Sequence, residues 1–397
     1  MTDAVLGSRA APRLAPFDRG PGLAALAVLL FGTLALGLGY GPLQGALFLL
    51  GGAFGLVLYH AAFGFTSAWR VFILEGRGRG LRAQMLMLAL ATLLFFPVLA
   101  AGTLFGQPVA GNVSPLSLSV VIGAFLFGIG MQTGGGCASG TLFTSGGGNA
   151  RMVVTLLFFV IGSVLATIHF SWWTALPSLP PVSLVETLGA PAGIAVSLAL
   201  FAAIYAVTVA VERRRNGGRL ETEGPAPVHG LRRFLHGPWP IVAGALALAV
   251  LNFATLALAG RPWGITSAFA LWGAKGAQIL GFQPETWSYW QTPGNARALA
   301  SSVFADVTSV MDFGIIAGAM LAASLAGRFA PSLRIPPRQI LASAIGGLLL
   351  GYGARIAYGC NIGAYFSGIA SGSLHGWLWL AAAFVGNGVG VRLRPFF

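Results

Sequence analysis

Charge is scarce in this sequence. Asp, Glu, Lys and Arg make up only 8% of its 397 residues, against roughly 25% in a soluble domain, which excludes a fold with an ordinary solvated surface. Acids are the scarcer sign, 10 against 23 basic residues. Cysteine occurs only at Cys137 and Cys360, far apart and outside any C-x-x-C or zinc-ligand spacing, so no disulfide framework, metal knuckle or paired redox thiol is expected. The histidines do not cluster, and no ATPase or cofactor motif is present. The sequence therefore implies no metal and no cofactor.

What is present is apolar and long. Hydrophobic residues reach 56%, in runs of about 18 to 22, enough to cross ~30 Å of hydrocarbon as helix. The runs are continuous, which excludes the alternating short segments of a β-barrel. Spans are expected at 22–40, 43–62, 81–104, 117–132, 152–171, 192–211, 239–259, 308–327, 339–357 and 374–391. With the N-terminus inside, only Arg261, Lys275, Arg297 and Arg355 of the basic residues fall outside. The positive-inside rule thus predicts ten spans with both termini cytoplasmic. It also explains the net charge of +13 without a nucleic-acid partner. Residues 1–20 lack the form of a cleavable signal and read as a cytoplasmic tail. Residues 21–190 form a first five-span repeat. Residues 191–397 form a second, which includes a polar, basic cytoplasmic linker at 212–238.

The halves repeat. GIGMQTGGGC at 128–137 aligns with GYGARIAYGC at 351–360, and FGFTSAW at 63–69 with WGITSAF at 263–269. Five spans per half is an odd number, so the halves are expected to run in opposite directions, a plan found in transporters. The expected fold is an all-α polytopic membrane protein: an inverted repeat of five plus five spans, with glycine-rich re-entrant loops meeting near the midplane. Irregular backbone at that depth is tolerated only inside protein or along a wet cavity. A helix restarting there offers free N–H groups and ~+0.5 of a dipole charge, an anion site without a full cation. Gly136, Gly140, Gly359 and Gly363 flank the thiols and permit close approach of a ligand. Thr66, Ser67, Ser139, Thr266, Ser267 and Asn361 add hydroxyl and amide groups. Scattered glycines such as Gly51 and Gly52 read as close-packing positions.

On GGGCASGTLF around Cys137, YGCNIGAYFSG around Cys360 and the paired GFTSA and GITSA segments, the chain resembles the YeeE/YedE family of bacterial sulfur-compound permeases. The resemblance covers both halves, excluding tail and linker. It implies an inner-membrane permease for thiosulfate or a closely related sulfur anion, with cysteines touching the passing ion, a role carried onto Cys137 and Cys360. It also suggests a cytoplasmic sulfurtransferase partner. Family members often carry a further cysteine nearer the N-terminus; here the first motif offers Thr66 and Ser67 instead. A selenium compound stays open as cargo, as does a membrane thiol enzyme, a sulfurtransferase or oxidoreductase, in place of a permease. A membrane anchor would not require the symmetric thiol loops.

The chemistry sets further expectations. An S–H group is a weak donor, suited to brief contact in a conducting site. A thiolate ~4 Å from one negative charge would cost roughly 4 kcal/mol at an effective dielectric of 20, so neutral thiols are expected on the path. Bringing a dianion into a negative-inside cell costs ~4.6 kcal/mol per 100 mV. That requires ion coupling or consumption of the cargo inside. Asp312, within span eight, is the candidate coupling carboxylate, with a helix-to-helix hydrogen bond as the alternative. Arg355 either attracts the anion at the outer mouth or snorkels to the interface. The outward insertion 270–307 is expected to form a cap or to place its aromatics at the membrane interface. His60, His169 and His375 are expected near span ends.

Overall fold

The computed structural model describes residues 17–218, 230–331 and 334–397. Most of the expected tail and residues 219–229 of the linker lie outside the described residues, and so do Arg9, Arg13 and Arg219. Ten helices are long and apolar enough to cross a membrane, one on each expected span. They are α1 (Arg19–Tyr40), α2 (Pro42–His60), α3 (Arg79–Ala101), α4 (Leu118–Gly134), α5 (Ala150–Ile168), α6 (Ala190–Asn216), α7 (Ile241–Ala259), α8 (Val307–Leu325), α9 (Pro337–Ile356) and α10 (Leu374–Leu393). Strand is confined to two-residue pairings in loops. The molecule is an all-α polytopic membrane protein.

Local chemistry sets the helix ends. Gly41 at φ +100° parts α1 from α2, which restarts at Pro42, where the missing N–H costs nothing. Gly102 and Gly260 close α3 and α7 in left-handed conformations. The side chains of Asn149 and Asp306 cap α5 and α8, accepting from the Met152 and Ser309 amides.

Four of the helices are followed by a short break and a half-helix: Phe65–Glu75 after α2, Ala138–Gly146 after α4, Thr266–Ile279 after α7, and the π-helical Asn361–Ser367 after α9. The quoted motifs fall on these breaks.

Glycine lets the long helices meet backbone to backbone, as membrane helices do in the absence of a hydrophobic force between them. A methyl on Gly318 of α8 would come within 1.9 Å of the Gly52 carbonyl oxygen on α2, and one on Gly346 of α9 within 2.1 Å of the Gly134 nitrogen on α4. The contacts exchange between halves. Where α2 packs on α8, α7 packs on α3; where α5 packs on α9, α10 packs on α4; where α1 meets α8, α6 meets α3.

α6 extends into the expected linker as far as Asn216, where Glu212 is buried in an ion pair with Arg82 and three arginines in the last turn complement the helix dipole. Within 270–307, Tyr289 and Trp290 are buried, while Phe282 and Phe304 are exposed. Trp290 Nε1 donates to Thr167 Oγ1 at 3.2 Å, which seats the insertion on α5.

Candidate functional site

Each cysteine begins a half-helix. After α4 ends, Gly135 takes φ +86°, a turn that glycine makes without strain, and Cys137 caps the next helix with its side chain. The Gly140 N–H donates to Cys137 Sγ at 3.4 Å, and Ser139 Oγ lies 3.5 Å from the same sulfur. In the second half Gly359 turns at φ +148°, where a methyl would come within 2.7 Å of the Ala364 nitrogen. Cys360 then caps in the same way, accepting from the Ile362 N–H at 3.4 Å. Both thiols are free and buried, and the two half-helices touch.

Two cavities flank them. One, of about 340 Å³, is lined by Thr66, Ser67, Gly136, Cys137, Gly140, Arg70 and Arg328, among others. The other, of about 400 Å³, is lined by Thr266, Ser267, Gly359, Gly363, Arg261, Arg355 and Asn112, among others. They lie toward opposite ends of α8: Thr308 in its first turn lines the second, and Arg328 just past its end lines the first. At 1.5 Å per residue α8 spans about 28 Å. Each cavity combines the breaks after the second and fourth helices of one half with the loop joining the third and fourth helices of the other.

A matched pair of bonds ties each cavity together. Gln132 Nε2 donates to the Thr66 carbonyl at 3.1 Å, and Arg355, at the equivalent place before Cys360, donates to the Thr266 carbonyl at 2.9 Å. Arg355 also donates to the Tyr289 hydroxyl, so it is held by protein as well as lining the cavity. Asn112 Nδ2 donates to the Gly363 carbonyl at 2.6 Å.

Aromatic rings of the break motifs pack on one another and on α2. Trp263 stacks on Phe54 at 3.9 Å, and Phe65 and Trp69 set their rings edgewise to Tyr365 at 6.0 Å. Cys360 is not on the wall of its cavity. It lies behind Gly359 and Gly363, as Ser139 and Asn361 lie buried beside their cysteines.

Some buried polar atoms have no hydrogen-bond partner among the described residues: both carboxylate oxygens of Asp312 and both amide atoms of Asn361. Asp312 is therefore not the helix-to-helix hydrogen bond that was the alternative reading. His375, the second residue of α10, lies at a span end as expected and is fully buried, with Nε2 3.0 Å from the Ala357 carbonyl. Among the described residues no group of three His, Cys, Asp or Glu side chains assembles that would hold a metal.

Among the liners that sequence reasoning missed are Arg70, Arg328, Arg261 and Asn112. Arg261 and Arg328 sit in short loops and Arg70 in the half-helix Phe65–Glu75, where all three read as topology signals, and Asn112 meets Gly363 across most of the chain. Chemically the arrangement offers an anion guanidinium groups, hydroxyls and backbone amides in two cavities, with a thiol on the wall of one and a thiol buried behind the glycines of the other.

The family described as sulphur transport matches residues 60–389. Among curated proteins, the chain is 32% identical over 350 residues to the thiosulfate transporter TsuA of Spirochaeta thermophila, covering 85% of this chain and 95% of that protein. It is 25% identical over 344 residues to TsuA of Escherichia coli, covering 85% and 90%. The probable transporter YedE of Escherichia coli is 32% identical over 163 residues, 40% of this chain and 39% of that protein.

Proposed function

The chain belongs to the sulphur transport family and is a membrane transporter of sulfur anions, and from that premise we propose that it takes up thiosulfate, or an anion closely like it, along a path touched by both thiols. One observation carries the reading: two buried cysteines cap two touching half-helices between cavities at opposite ends of α8.

The ion enters at the cavity holding Arg261 and Arg355 and passes Cys360 and then Cys137. It leaves past Arg70 and Arg328. Neutral S–H groups and the Asn361 amide give brief contacts, while guanidinium groups and backbone amides supply the attraction.

The same reading fixes orientation. Arg77, Arg79, Arg151 and Arg213 to Arg215 fall at the Arg328 end in the span order, so that end is cytoplasmic, the membrane is the bacterial inner one and both termini are inside. The exchange of helix contacts between halves supports the inverted five-plus-five repeat, with the thiol loops re-entering toward the midplane. Asp312, buried and without a partner, takes up and releases the coupling cation. A cytoplasmic sulfurtransferase consumes the cargo.

The test is uptake of thiosulfate, each sulfur labelled separately, into proteoliposomes with wild type, Cys137→Ala and Cys360→Ala. Equal entry of both labels, lost in the variants, is expected. Entry of one label alone would mean sulfur transfer instead of passage. Well-folded wild type admitting neither label, but admitting selenite or selenate, would move the cargo to selenium.

A further inference from the structure

A third cavity, of about 480 Å³, adjoins the one at Cys137. The two share Tyr59, Thr144 and Arg328. The path described above does not use it. It brings together Arg151, Arg328 and Arg334 with Asn149 and Gln339, and no acid is among its lining residues. Two helix starts converge there, α5 just after Asn149 and α9 just before Gln339.

The arginines differ in how they are held. Arg151 is fixed by the Ser343 hydroxyl at 3.1 Å and the Thr133 carbonyl at 3.0 Å. Thr133 lies in the last turn of α4, just before the Cys137 break. Arg328 and Arg334 donate to no acceptor and pair with no carboxylate among the described residues. Asp18, which meets this end of the molecule, is engaged by the Phe329 amide at 3.0 Å. The opposite mouth is unlike this, since Arg261 there faces Asp306 at 4.0 Å.

Three guanidinium groups around one cavity repel each other unless an anion lies among them. Their planar forks match an oxyanion better than a lysine cluster would, and the positive ends of two helices add to the field. We propose that this cavity is a second anion-binding station. It takes a doubly charged tetrahedral sulfur oxyanion as the ion leaves the Cys137 compartment. The assignment rests on the transport reading. Arg328, common to both cavities, hands the ion from one to the other. Because Arg328 and Arg334 are exposed, binding here falls steeply with ionic strength, whereas binding near the buried thiols does not.

Arg334 lines this cavity and not the one at Cys137, so it isolates the station. Purified protein is titrated calorimetrically with sodium thiosulfate at low and high salt, and uptake is measured in proteoliposomes. Wild type is expected to bind two anions, one salt-sensitive. Arg334→Gln should weaken the salt-sensitive site tenfold or more and slow uptake several-fold, while Arg334→Lys retains most of both. Gln339→Glu, which places an acid in the lining, should weaken the same site and serves if Arg334→Gln does not fold. Transport by a wild type that binds one anion, or unchanged salt-sensitive binding in both variants, overturns the station alone. Wild type that neither binds nor transports thiosulfate overturns the transport reading with it.

Discussion

Gln132 and Arg355 occupy equivalent places in the two halves and make the same bond. Each donates to the carbonyl of the threonine in its own half's TSA motif, Thr66 or Thr266. Only one of them is charged. The half-helices differ likewise, α-helical after Cys137 and π-helical after Cys360. The scaffold bond is kept and the charge is not. At the Cys137 mouth the positive charge comes from Arg70, whose counterpart after the second TSA motif is Ala270, and from Arg328; at the other it comes from Arg261 and Arg355. The geometry of a mouth is thus set by the repeated backbone, and its field by arginines that the repeat does not share.

That separation can be broken experimentally. The largest effect is expected from Arg355→Gln, which gives the Arg355 mouth the neutral amide of the Cys137 mouth. Initial uptake at low thiosulfate should fall at least tenfold, about 1.4 kcal/mol in capture, mainly as a raised KM. An unchanged KM would show that the charge difference between the mouths has no bearing on capture. Arg355→Lys sharpens the point by keeping charge while losing the planar fork that reaches both the Thr266 carbonyl and the Tyr289 hydroxyl. A loss of about three- to fivefold is expected, and a loss as large as that of Arg355→Gln would mean that geometry outweighs charge.

Gly140→Ala and Gly363→Ala compare the cavity floors. A methyl at Gly140 would contact only Cys137 Sγ, at 3.4 Å, and one at Gly363 would find nothing closer than Asn112 Nδ2 at 3.9 Å. Packing therefore tolerates both, and alanine favours helix by up to ~1 kcal/mol. Thermal stability should hold or rise while uptake slows a few-fold, more at Gly140, where the methyl sits against the thiol. A drop in stability with transport intact would contradict the role given to these positions. The smallest functional effect is expected from Gln132→Ala, which removes a buried scaffold bond. Stability should fall by about 1–2 kcal/mol, read as a lower melting temperature, with less than a threefold change in KM.

Much of this was legible in the sequence. The ten spans could be read because membrane helices are long and uniformly apolar, and the four breaks because glycine and hydroxyl residues interrupt them twice in the same order. The charge at the Cys137 mouth was hidden. An arginine just beyond a span satisfies the positive-inside rule whether or not it lines a cavity, so Arg70 and Arg328 carried no further signal. Long-range contacts were hidden for a different reason. Nothing local marks Asn112 as the partner of Gly363, Tyr289 as that of Arg355, or Glu212 as that of Arg82. His375 does lie at a span end, as the second residue of α10, but its burial against the Ala357 carbonyl depends on neighbouring backbone that the span pattern does not show.

The cavities' shared construction bears on how the chain is assembled. The Cys137 mouth is closed by Arg328 from the second half, and the other mouth by Asn112 from the first. The glycine face of α2 is matched by α8. During synthesis the first five helices therefore enter the membrane with their mouth open and their glycine face bare. They cannot operate as a unit until the later helices arrive. Each cavity is thus completed only when both halves are in place.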